Sequence, residues 1–64
     1  VRVRVPRGKA LQLVSITVRG GEFEQTFADR LCRPGEIVEA EVYGPEGARL
    51  RVEIDEERVY SERL

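Results

Sequence analysis

Apolar and charged side chains alternate on both sides of Pro45-Glu46-Gly47, and this period of two constrains the fold more than any other feature. Before the tripeptide, Val38, Ala40 and Val42 share one face and Glu39 and Glu41 the other. After it, Leu50, Val52 and Ile54 lie on one face and Arg51 and Glu53 on the other. Strands alternate in this way and helices do not. The pattern predicts one hairpin from Glu36 to Asp55, with Val42 opposite Leu50, Ala40 opposite Val52 and Val38 opposite Ile54. Pro45 suits the first corner of a type I turn, and Gly47 suits the positive φ that follows it. The same register sets Glu41 opposite Arg51, which is favourable, and Glu39 opposite Glu53, which is not.

Further strands are expected on both sides. Val1 to Val5 alternates cleanly and stops at Pro6, followed by a turn at 7–9. Leu11 to Arg19 is apolar on both faces, with Val14, Ile16 and Val18 on one side and Leu11 and Leu13 on the other. Such a strand is central, bulged or buried in a subunit contact. Leu11 and Leu13 are therefore candidate interface residues, and a bulge near Val14 is the alternative. Gly20-Gly21 accepts the positive φ angles of a two-residue turn. Folding there sets Val18 opposite Phe23, Ile16 opposite Gln25, Val14 opposite Phe27 and Arg19 opposite Glu22. Residues 22–33 also fit a helix carrying Phe23, Phe27 and Leu31 on one side, but that helix lacks a capping residue. The strand is the preferred reading, and the helix would give an α+β fold. Cys32 to Gly35 forms a turn, and Arg58 to Leu64 a last strand with Val59 opposite Ile54 across an irregular acidic turn at 55–57.

A chain of 64 residues is a single small domain, 1–64, near the lower limit for a self-supporting core. With one cysteine and no histidine it has neither an internal disulfide nor a zinc constellation, so self-association is the expected support. The chain begins at Val1 and holds no methionine, which fits a trimmed initiator or a domain excised from a longer polypeptide. No stretch approaches the ~18 apolar residues of a membrane span, and the lone Cys32 leans towards a reducing, cytoplasmic setting. Ten of the 11 cations are Arg and ten of the 12 anions are Glu, a composition compatible with a heat-loving source or a GC-rich genome.

Charge is balanced overall and segregated along the chain. Residues 1–21 carry five cations and no anion, and residues 36–64 carry nine anions and four cations. Arg2, Arg4, Arg7, Lys9 and Arg19 are candidates for a polyanion or nucleic-acid site. The competing reading is internal neutralisation, with Arg2 and Arg4 facing Glu39, Glu41 or Glu53. Tyr43 and Tyr60, near Arg49, Arg51 and Arg58 in sequence, suggest a platform for single strands.

Catalytic signals are sparse. There is no histidine to shuttle protons, and Ser15 or Ser61 with Lys9 has no supporting spacing. Cys32 between Arg30 and Arg33 is the candidate nucleophile, since guanidinium groups favour a thiolate. Leu31 to Val42, LCRPGEIVEAEV, resembles the Pro-Gly-acid turn and alternating strand of AbrB-type swapped-hairpin regulators and antitoxins, over about a fifth of the chain. That resemblance implies DNA binding.

The sequence thus predicts an all-β protein, an antiparallel meander closing as a five- to six-stranded sandwich or barrel. Its expected role is binding or assembly without catalysis or cofactor, through sheet edges or self-association, with a homo-oligomer or protein partner. Nucleic acid bound by the basic amino-terminal third, or an AbrB-like regulator, is the alternative.

Overall fold

The computed structural model describes residues 1–8 and 10–64. Its six strands are β1 (Arg2–Arg4), β2 (Gln12–Gly20), β3 (Phe23–Cys32), β4 (Ile37–Glu39), β5 (Arg49–Ile54) and β6 (Glu57–Arg63). They form two antiparallel sheets, a two-stranded ribbon β1-β4 and a four-stranded sheet ordered β3-β2-β5-β6. The chain is all-β, a sandwich and not a barrel, and residues 22–33 form a strand and not a helix.

β2 is the central strand of the core. Val14, Ile16 and Val18 are fully buried and share the core with Leu50, Val52 and Ile54 of β5, Val38 of β4 and Val5, which follows β1. Burying each such side chain contributes about 1.5–3 kcal/mol, and Ile16→Ala would cost about 2–5 kcal/mol. Gln12 extends the same face as a buried polar residue, and its Nε2 donates to the Pro6 carbonyl at 3.0 Å. That bond satisfies an amide in an apolar setting and ties β2 to the end of β1.

The expected hairpin from 36 to 55 does not form. Its turn is present, with Ala48 N donating to the Pro45 carbonyl at 3.0 Å and Gly47 at φ +84°. Its two strands, however, belong to different sheets: β4 pairs with β1, and β5 lies between β2 and β6. Alternation specifies which face of a strand is apolar and is silent on which neighbour it pairs with. Val38, Ala40 and Val42 still pack against the core, across the sandwich from β5 instead of beside it. Charge favours the observed partner. The hairpin would oppose Glu39 to Glu53, whereas the ribbon opposes Glu39 to Arg2, which bond at 3.2 Å.

Three local expectations are also corrected. At the Gly20-Gly21 hairpin the register moves by one residue on each strand, so Gly20 lies opposite Phe23 and Arg19 opposite Glu24. Gly20 ends β2, packed against Ala48, and the loop is Gly21-Glu22. No bulge occurs at Val14; the irregularity lies between Ile16 and Thr17, where β3 inserts Phe27. The acidic turn is tight, not irregular. Asp55 and Glu56 adopt φ +53° and +67°, as in a type I′ turn, and Ile54 faces Glu57. Val59 is the extra residue of a second bulge instead of the partner of Ile54.

Candidate functional site

The two bulges decide what the solvent face of the four-stranded sheet displays. Before Phe27, Phe23 and Gln25 of β3 share the inner face with Gly20 and Val18. The inserted Phe27 reverses the alternation, so Ala28 and Cys32 turn inwards while Asp29 and Leu31 face solvent. Val59 acts likewise in β6. Beyond it Tyr60 and Glu62 face Val52 and Leu50 on the inner side, and Ser61 and Arg63 face Arg51 and Arg49 outside.

The outer face therefore carries rows of directly opposite side chains. At one end Leu13 is opposite Leu31, beside the exposed Leu11. The next row holds Asp29, Ser15, Glu53 and Arg58, and the one after it Thr26, Thr17, Arg51 and Ser61. The far row is Glu24, Arg19, Arg49 and Arg63. The gradient runs from apolar to basic over about 20 Å, six residues at ~3.3 Å each.

Of the sequence-predicted interface residues, Leu13 lies in β2 opposite Leu31, and Leu11 immediately precedes the strand. Leu11 is 56% exposed and Leu13 half-buried, and Leu31, at 59%, completes the patch. Leu31 was not a sequence candidate because without the bulge it would point inwards. The predicted basic set is dispersed: Arg2 and Arg4 lie on the ribbon, Arg19 on the outer face of the other sheet, and Arg7 beside Gly35. Lys9 lies outside the described residues. Arg2 bonds Glu39, as internal neutralisation predicts, and Arg19 bonds Glu24 at 3.1 Å.

The two tyrosines do not form one platform. Tyr43 packs edge-on against Phe27 and Phe23, with ring centroids 5.0 and 6.1 Å away. Tyr60 lines an open cleft of about 450 Å³ between β1 and β6, floored by Leu50 and Val52. Its hydroxyl donates to Glu62 at 2.9 Å, and this bond to a carboxylate raises the phenol pKa above its ordinary value. Cys32 is 1% exposed in the core, its Sγ 3.6 Å from the Arg30 carbonyl, so it has no access to a substrate. Arg30 instead reaches Glu36 at 2.8 Å.

Comparison with protein families, curated proteins and solved structures finds no match.

Proposed function

We propose that this chain is a non-catalytic assembly module that associates with a second copy of itself through the apolar end of its outer sheet face. The observation that carries the reading is the Leu13–Leu31 pair, flanked by Leu11, on a face that is otherwise charged or hydroxylated. One face of an antiparallel sheet covers the core and the other meets water, so apolar residues belong on the first. Three leucines together on the second are explained by burial against a partner. A two-fold contact needs no other surface, because the patch is complementary to itself. The patch also lies beside the free edge of β3, where backbone groups are open to pairing.

The test is a dilution series followed by amide chemical shifts. Association through this patch predicts concentration-dependent shifts confined to residues 11–13 and 29–32. Shifts concentrated on β6 or the ribbon would move the contact elsewhere.

A further inference from the structure

The basic end of the same face has no structural reason of its own. Arg19 lies directly opposite Arg49, and Arg49 directly opposite Arg63. Like charges in directly opposite positions destabilise a sheet. Among the described residues the ion pairs are Arg2–Glu39, Arg19–Glu24 and Arg30–Glu36, so Arg49, Arg51 and Arg63 have no carboxylate partner. Arg49 bonds instead to the hydroxyl of Ser61 at 3.3 Å. Arg19, Arg49 and Arg51 line a shallow concavity of about 340 Å³ with Thr17 and Glu53, the carboxylate lying in the row beyond Arg51.

We propose that this face binds the sugar-phosphate backbone of a nucleic acid without reading its sequence. Three guanidinium groups stand on neighbouring strands, about 10 Å from first to last at ~4.8 Å per strand. A line of that length matches successive phosphates better than a single anion. Arginine forks bind phosphate oxygens in pairs, and the hydroxyls of Thr17 and Ser61 beside Arg51 add neutral donors. None of the four aromatic side chains belongs to these rows, so the face has nothing on which to stack bases. A bound backbone would neutralise the repulsion that the bare row carries. Of the sequence-predicted basic set only Arg19 takes part. The site is independent of the leucine contact, which lies at the other end of the face.

The experiment is fluorescence anisotropy of a labelled mixed-sequence duplex across a salt series. The protein should bind at low salt, with log K falling against log salt at a slope of about −3, as for three neutralised phosphates. Arg49→Ala with Arg63→Ala should weaken binding at least tenfold and flatten the slope by about 2. The same variant should keep the parent's circular dichroism and melt no lower than the parent, since it removes like-charge contacts, so its loss of binding is not a loss of fold. Arg2→Ala with Arg4→Ala, on the other sheet, should bind as the parent does. The proposal is overturned by no binding at low salt, by an undiminished Arg49/Arg63 variant, or by equal loss in the Arg2/Arg4 variant. Displacement of the duplex by polyglutamate as readily as by polyphosphate would overturn it in favour of an acidic polypeptide.

Discussion

A Cβ placed on Gly20 would lie 2.7 Å from the Cβ of Ala48 and 2.8 Å from its Cα. The loop that carries the chain from the ribbon to β5 therefore rests on the bare backbone of β2. In the same loop, a Cβ placed on Gly44 would lie 2.7 Å from Cγ1 of the Val18 side chain. Gly20→Ala should cost about 1–3 kcal/mol, because backbone must move to admit the methyl group. Gly21 is the contrasting neighbour, with φ +58° and nothing within 4 Å of an added Cβ. Gly21→Asn should change stability by less than about 1 kcal/mol, since Asn tolerates that conformation. Urea denaturation of the two variants checks the pair, and equal losses would contradict the packing role of Gly20.

The turn between β5 and β6 stores strain at one identifiable position. Asp55 is held there by two bonds, its Oδ1 accepting from Leu13 N at 2.9 Å and its own N donating to the Leu13 carbonyl at 2.8 Å. Glu56 adopts φ +67° without a comparable bond. Glu56→Gly should stabilise the protein by about 0.5–1 kcal/mol, and Asp55→Ala should destabilise it by about 1–2 kcal/mol. Chemical denaturation distinguishes these opposite signs.

Acid should loosen the turn that leads into β4. Glu36 accepts from the backbone N of Arg33 at 3.0 Å and pairs with Arg30, and these bonds hold its carboxyl pKa below the usual value. A group depressed in the folded state stabilises above its unfolded pKa, and that contribution is lost as pH falls through the folded pKa. Stability should therefore decline on acidification below the ordinary glutamate range, and Glu36→Gln should flatten the decline. Thermal melts of both proteins from neutral to acid pH provide the comparison.

The arginine row predicts an exchange of stability against binding. Arg49→Glu places a carboxylate between Arg19 and Arg63 and should stabilise the fold by about 0.5–1 kcal/mol. It should also abolish the anion binding proposed for this face. A less stable variant would show that the row is not repulsive.

Much of the fold was legible because its signals are local. The buried face of β2 follows from Val14, Ile16 and Val18, and the turns at Pro34-Gly35 and Pro45-Gly47 follow from residues that accept their dihedrals. The turns made the pairing of β2 with β3 and of β5 with β6 legible, but not that of β4 with β1 or of β5 with β2. Val38, Ala40 and Val42 need an apolar neighbour, and a facing sheet supplies it as well as an adjacent strand. The surface was half legible for a related reason. Leu11 and Leu13 stand out by parity within one strand, but the outward aim of Leu31 and Arg63 depends on the bulges at Phe27 and Val59. A bulge is a relation between two strands, so neither sequence shows it alone. The row of Arg19, Arg49 and Arg63 required both pairings of β5.

Self-association through the leucine patch is tested most directly by the mass in solution, measured by light scattering over a range of concentrations. The parent chain should pass from monomer towards dimer as concentration rises. Leu11→Ser with Leu31→Ser, both at exposed positions, should remain monomeric with unchanged circular dichroism. A parent that stays monomeric at every concentration, or a double variant that still dimerises, would contradict the account.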